Sequence, residues 1–103
     1  PDTVSAQMMG AIHMGLSAAF KEKVQFADGG VKSVNFFDYQ LLRMSESFPV
    51  EVHIVDSDEA IGGCGEPGLP PAAPAVANAI FDATGARVRR LPMTPDRVLQ
   101  ALA

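Results

Sequence analysis

At 103 residues the chain has room for one compact domain with a single core. Its net charge of -4 argues against a nucleic-acid-binding surface, because neutralising phosphates requires clustered lysine and arginine residues. The lone cysteine, Cys64, excludes an internal disulfide and cannot form a zinc site by itself, and no apolar stretch approaches the roughly 20 residues of a transmembrane helix.

The N-terminal third of the chain predicts a helix and then a β-hairpin. Asp2 or Thr3 can cap a helix whose apolar residues recur at helical spacing through Phe20. This helix is apolar nearly all round, and the chain begins at Pro1 directly before it, so we expect other parts of a longer protein to cover it. The residues 27–30, Ala-Asp-Gly-Gly, separate two short apolar runs and predict a hairpin turn, since Asp and Gly tolerate positive φ.

Two further segments have strand patterns. Val50 to Val55 alternates between apolar and polar side chains, which predicts a half-buried strand. Val88 to Leu91 predicts a second, shorter strand.

Two more helices are predicted from their boundary residues. Proline suits the first turn of a helix, so one helix should begin between Ala72 and Pro74 and run to Ala83 or Thr84. Gly85 is the expected left-handed residue at its end. Thr94 as N-cap and Pro95 at the first helical position predict a last helix. Residues 1–103 therefore predict a single small α+β domain of about three helices with a small mixed sheet.

The loop between residues 62 and 68 has the sequence Gly-Gly-Cys-Gly-Glu-Pro-Gly, and it admits three interpretations. Its spacing matches the dinucleotide-binding pattern G-x-G-x-x-G, but Glu66 places a negative charge in the loop and Pro67 removes a backbone donor. A second interpretation is a tight turn in which Glu66 is a solvated acid near a helix N-terminus. In the third, Glu66 is a general base, because flanking glycine and proline leave its carboxylate open to close approach.

The segments around this loop resemble a known enzyme family. Three consecutive parts of the chain resemble the end of a molybdopterin-binding large subunit. They are the run Gly65-Glu66-Pro67-Gly68-Leu69-Pro70-Pro71, the helix after it, and Arg89-Arg90-Leu91-Pro92. Three upstream segments fit the same subunit in the same order. They are residues 5–10 (Ser-Ala-Gln-Met-Met-Gly), Gly15-Leu16-Ser17 and residues 35–39 (Asn-Phe-Phe-Asp-Tyr). The family is that of xanthine dehydrogenase and aldehyde oxidase, and the likeness is strongest to the isoquinoline 1-oxidoreductase beta subunit and related membrane-associated aldehyde dehydrogenases.

The resemblance implies a fold, a reaction and three site residues. The chain would be the C-terminal segment of a molybdopterin-binding domain. The parent enzyme would oxidise N-heteroaromatic compounds or aldehydes with water as the oxygen source. By the family's motifs, Glu66 would be the catalytic base, Gln7 would lie beside the cofactor, and the backbone of Gly65 would approach the metal site. Cys64 matches no metal ligand of the family and is interpreted as a small apolar residue.

The resemblance also implies partners that the chain does not contain. The cofactor would be a molybdenum pterin, with the cytosine dinucleotide form as one alternative. An iron-sulfur small subunit, with or without a cytochrome, would accept the electrons. Periplasmic, membrane-associated and cytoplasmic locations all stay open. The contrasting hypothesis is a non-catalytic folded fragment or packing module, and we expect the 103 residues alone to be inactive under either hypothesis.

Overall fold

A computed structural model describes all residues from Pro1 to Ala103. The helices are α1 (Asp2–Phe20), α2 (Ala72–Thr84) and α3 (Pro95–Leu102), and Met44–Glu46 forms a single 3₁₀ turn. The sheet is one antiparallel pair of two-residue strands, β1 (Phe26–Ala27) and β2 (Gly30–Val31). The predicted small α+β domain of three helices is confirmed.

The hairpin forms where the Asp-Gly pair predicts it. Phe26 pairs with Val31 and Ala27 with Gly30, so the connection is the two-residue turn Asp28-Gly29. Both turn residues have positive φ, 53° and 76°, as a type I′ turn requires. The backbone twist of a type I′ turn matches the twist of the two strands. This match explains why Asp28-Gly29 can connect two such short strands in a hairpin.

The two other predicted strands do not form. Residues 50–55 and 88–91 belong to no sheet. A strand is stable only when a neighbour receives its backbone hydrogen bonds, and the chain offers no strand beside either segment. Ile54 and Val55 are accordingly 50% and 83% exposed, whereas Val88 is buried without strand pairing.

The helix boundaries follow the proline and glycine signals. Gly85 ends α2 with φ of 77°, and its N–H donates to the Phe81 carbonyl at 2.7 Å. Pro95 opens α3 after Thr94, as predicted. The Thr94 side chain makes no capping hydrogen bond, but its backbone carbonyl accepts the N–H of Val98 at 3.1 Å.

The core lies where the end of α1 meets α2 and the residues before α3. Ala19 is fully buried against Val88 and Met93. The half-buried apolar residues packed around them are Ala73, Val76, Ala77, Ile80 and Val98. The Met93 N–H donates to the Ala19 carbonyl at 2.6 Å, which connects the last turn of α1 to the C-terminal part of the chain. Only 10 of the 103 residues are buried, so this core is small.

The segment between the hairpin and residue 48 is attached to the other side of α1. His13 bonds the Phe48 carbonyl through Nε2 at 3.1 Å, and the Leu42 N–H donates to Ser17 Oγ at 3.0 Å. Lys21 pairs with Glu46, and this hydrogen-bonded partner lowers the pKa of the Glu46 carboxyl. These contacts hold the segment against the helix although it contains little regular structure.

The outer surfaces of α1 remain apolar. Met14 is 62% exposed and Val4 and Met9 are each more than one third exposed. The sequence predicts that further protein covers this helix, and within the 103 residues its main contact with another helix is with α2. No helix of the chain combines the length and apolar character needed to cross a lipid bilayer.

Two glycines of α1 provide a matched test of this packing. A Cβ at Gly15 would stand 2.6 Å from Ala72 Cβ and 2.7 Å from the Leu69 carbonyl oxygen, whereas a Cβ at Gly10 would meet open space. We expect Gly15→Ala to destabilise the chain by about 1–3 kcal/mol through overpacking. Gly10→Ala should stabilise it by up to about 1 kcal/mol, because alanine is the better helix former.

Urea unfolding of the 103-residue chain, followed by circular dichroism, measures both effects. The contrast between the variants is the critical result, since both make the same chemical change in the same helix. If Gly15→Ala were as stable as Gly10→Ala, the close approach of α1 to Leu69 and Ala72 would be contradicted.

Candidate functional site

The glycine-rich loop runs along α1 in contact with its successive turns. A Cβ at Gly68 would lie 3.1–3.2 Å from Ile12, Ala11 and the Met8 carbonyl oxygen. One turn further along α1, Leu69 and Ala72 pack against the backbone of Gly15. A Cβ at Gly15 would force the loop away from the helix, and at Gly68 it would leave only a tight fit. The loop is thereby held at a fixed position before α2 begins.

Two of the three predicted site residues are neighbours in space. Gln7 lies on α1, and its Oε1 atom is 3.7 Å from the position that a Cβ on Gly65 would occupy. Gly65 directly precedes Glu66, the third residue. The fold therefore brings together positions that are 58 residues apart in sequence, from Gln7 to Gly65. All three residues are exposed, so the amide, the glycine backbone and the carboxylate are accessible from solvent.

Glu66 itself is held by its backbone. Its carbonyl oxygen accepts the Leu69 N–H at 2.9 Å, which closes a turn through Pro67 and Gly68. Its carboxylate has no hydrogen bond or ion pair within the chain. A carboxylate that is free of partners and fixed at its Cα by a turn can accept a proton from a ligand placed against it.

The dinucleotide-binding interpretation has no structural basis here. No strand precedes the loop, because residues 50–55 join no sheet. Pro70 and Pro71 separate the loop from α2, so the glycines do not open directly into a helix N-terminus. Both features are needed to place backbone N–H groups around a pyrophosphate.

The groups that the site offers to a ligand are an amide and an open stretch of backbone. No group of three or more His, Cys, Asp or Glu side chains is placed to hold a metal, and Cys64 is a free, half-buried thiol. The Gln7 amide can both donate and accept hydrogen bonds, and Gly65 beside it leaves the backbone open. This donor set fits a ligand with a polar edge, such as a pterin.

Sequence reasoning missed the packing role of Gly15 and Gly68. Gly15 matters for the site because it lets Leu69 and Ala72 reach α1. The available signal was the seven-residue spacing from Met8 to Gly15, which places both on one helical face. Nothing in the sequence alone shows that Gly68 contacts this face.

Comparison with known proteins gives relatives along the whole chain. No family model matches it. The isoquinoline 1-oxidoreductase subunit beta of Brevundimonas diminuta is 46% identical over 95 residues, which are 92% of this chain and 12% of that protein. The membrane-bound aldehyde dehydrogenase [pyrroloquinoline-quinone] of Gluconacetobacter polyoxogenes is 36% identical over 99% of this chain and 13% of its own length. The aldehyde oxidoreductase molybdenum-binding subunit of Escherichia coli K12 is 34% identical over 99% of this chain and 15% of its length.

A solved structure shows the same fold. The structure of quinoline 2-oxidoreductase from Pseudomonas putida 86 superposes with a TM-score of 0.86 at 21% identity, over 99% of this chain and 14% of that chain. The chain spans about one eighth of the length of the relatives it matches. It is homologous, over nearly all of its length, to a segment of the molybdenum-binding subunits of the xanthine dehydrogenase and aldehyde oxidase family.

Proposed function

We propose that this chain is the part of a molybdenum hydroxylase catalytic subunit that supplies its base, Glu66. The parent enzyme oxidises N-heteroaromatic compounds or aldehydes and takes the added oxygen from water. The observation that carries the proposal is the unpaired Glu66 carboxylate, fixed by its turn next to the Gln7–Gly65 contact. The names of the relatives, which include an isoquinoline oxidoreductase and an aldehyde oxidoreductase, support the substrate classes.

Glu66 acts on a proton in this proposal. Its carboxylate takes the proton from the water-derived oxygen nucleophile as that oxygen attacks an electron-poor carbon of the substrate. The turn through Pro67 fixes the backbone of Glu66, so only the rotation of its side chain has to be ordered when substrate is bound. In the 103-residue chain the carboxylate is exposed to water. Enclosure by the rest of the subunit would remove that water from around the carboxylate.

Gln7 and Gly65 position the cofactor. The Gln7 amide offers two N–H donors and one carbonyl acceptor, which suits the polar edge of a pterin. Gly65 keeps the space beside that amide free of a side chain. When bound, the molybdenum cofactor supplies the two-electron oxidation, while the protein contributes placement and the base.

The electrons must leave the subunit after each turnover. We propose an iron-sulfur small subunit as the first acceptor, with a cytochrome as a further acceptor. The relatives named as a subunit beta and as a molybdenum-binding subunit support an assembly of several chains.

The 103 residues alone are proposed to be inactive. Their core is small, and the Gln7–Glu66 region is open to solvent, so nothing in the chain encloses a cofactor or a substrate. Metal analysis of the purified chain checks this directly, and one equivalent of bound molybdenum would show that it is wrong.

One prediction of the proposed function concerns Glu66→Gln in the full-length subunit, produced with its partner. The amide keeps the shape of the side chain but cannot accept the proton, so turnover should fall by about 10²–10⁴-fold. Molybdenum content should stay unchanged. The measurement is steady-state oxidation of an N-heteroaromatic compound and of an aldehyde, each normalised to bound molybdenum.

Glu59→Gln is the matched control, because Glu59 is an exposed glutamate seven residues earlier in the same irregular segment. It should retain wild-type activity. Full turnover by Glu66→Gln with normal metal content would remove Glu66 as the base. A wild-type enzyme that contains pyrroloquinoline quinone and no molybdenum would contradict the cofactor assignment itself.

A second prediction concerns cofactor retention. Gln7→Leu keeps a side chain of similar size on an exposed turn of α1 but removes the hydrogen bonds that we propose it makes to the pterin. The purified subunit should hold less molybdenum and less pterin, with little change in its unfolding temperature. Metal analysis together with nucleotide release by acid measures both the loss and the form of the pterin. An unchanged cofactor content in Gln7→Leu would contradict this role, and Gln100→Leu on α3 controls for the substitution.

A further inference from the structure

The imidazole ring of His13 contacts two backbone carbonyl groups. Its Nδ1 atom lies 2.8 Å from the carbonyl oxygen of Met9, in the preceding turn of α1. Its Nε2 atom lies 3.1 Å from the carbonyl oxygen of Phe48, which is 35 residues further along the chain. The ring therefore bridges α1 and residues 41–48, which we call the flanking segment.

The number of ring protons decides whether both contacts are hydrogen bonds. A carbonyl oxygen only accepts hydrogen bonds, so each ring nitrogen of His13 has to donate one. Neutral imidazole has one N–H group and one nitrogen lone pair, whereas protonated imidazole has two N–H groups. In either neutral tautomer a lone pair would face a carbonyl oxygen at hydrogen-bond distance, and that contact is repulsive. Only the protonated ring satisfies both carbonyls.

Three further contacts attach the flanking segment to α1 and to the residue after it. They are the hydrogen bond from the Leu42 N–H to Ser17 Oγ, the Lys21–Glu46 ion pair and the stacked rings of Phe20 and Phe48. The hydrogen bond to a hydroxyl and the ring stack involve no charge. Since Lys21 lowers the pKa of the Glu46 carboxyl, their ion pair persists in mildly acidic and neutral solution.

The other charged groups beside His13 keep their charge in the same pH range. Glu22 and Arg43 line one open groove together with His13. The Tyr39 hydroxyl donates to Glu22 at 2.6 Å, and this hydrogen bond raises the pKa of Tyr39 above its usual value. Arginine stays protonated in proteins. Histidine is the side chain whose charge ordinarily changes between about pH 5 and pH 8, so His13 is the titrating member of this group.

We propose that His13 is a proton-dependent attachment point between α1 and the flanking segment. The protonated ring donates to both carbonyls, and loss of one proton breaks one of the two hydrogen bonds. Because the attached segment favours the protonated ring, the attachment is strongest below about pH 6 and weakens as the pH rises through the ordinary titration range of histidine. The inference depends on the two contacts of the ring and is independent of the function proposed for Glu66.

Urea unfolding of the 103-residue chain at about pH 5.5 and about pH 8 tests the proposal. His13→Gln retains an amide that can donate to a carbonyl, but this side chain does not titrate. Between the lower and the higher pH, the folding constant of the wild type should fall about tenfold relative to that of His13→Gln, as expected for the loss of one charge-assisted hydrogen bond. Parallel changes in the two proteins would overturn the proposal.

His53→Gln is the matched control, because His53 is the other histidine of the chain and its side chain is 85% exposed. Its only ionic neighbour is Glu51, at 3.8 Å. The folding constant of this variant should follow that of the wild type at both pH values. A pH dependence that disappears in His53→Gln and persists in His13→Gln would assign the effect to the wrong histidine and contradict the proposal.

Nuclear magnetic resonance measures the protonation state of the ring directly. At about pH 5.5 both ring nitrogens of His13 should carry hydrogen, and nuclear Overhauser effects should connect the rings of Phe20 and Phe48. At about pH 8 one ring N–H should be lost and these effects should weaken. A singly protonated His13 ring at the lower pH, with Phe20 and Phe48 still in contact, would overturn the proposal. Neither measurement involves turnover or a cofactor, so a failure of the proposed function would leave both unaffected.

Discussion

The close approach of α1 to the start of α2 is the constraint on which the rest of the structure depends. Gly15 has no side chain, so Leu69 and Ala72 reach the backbone of the helix. Four residues later on the same face, Ala19 is fully buried in the core. In the other direction along α1, Gly68 and Gly65 are aligned with Met8 and Gln7. The small residues that contact α1 along its length thus determine both the packing of the core and the position of the loop that carries Glu66.

The residues that stabilise the fold and the residues proposed to act on the cofactor and substrate lie in different parts of the chain's contact with α1. The buried residues are mainly small, and their packing depends on close backbone approach more than on large side chains. The residues proposed to act on cofactor and substrate lie at the other end of the same contact row and stay accessible. The chain positions Gln7, Gly65 and Glu66 relative to one another but does not enclose them, and enclosure is the part that we assign to the rest of the subunit.

The features predicted correctly from sequence are those determined by local backbone chemistry. Asp28-Gly29 specifies its turn through positive φ, Pro95 begins α3, and Gly85 ends α2. The wrong predictions concern residues 50–55 and 88–91, whose patterns are typical of strands. Whether such a segment forms a strand depends on a neighbouring strand to pair with, and the alternation of apolar and polar residues does not show whether one exists. The family resemblance assigned Gln7 and Gly65 to one cofactor, whereas their contact is seen only in the structure, since no local pattern connects residues that are 58 positions apart. The roles of these residues stay predictions.

The hydrogen bond from the Met93 N–H to the Ala19 carbonyl has a consequence for the order in which the molecule can form. The last carbonyls of a helix lack partners within the helix, and here one of them is satisfied by a residue 74 positions further along the chain. During synthesis α1 leaves the ribosome before the residues up to Met93, which cover part of its apolar surface. We therefore expect newly made α1 to be a binding target for chaperones until residues 88–93 have been synthesised. The segment that carries Gln7 is made early but reaches its final position only when nearly all of these 103 residues have been synthesised.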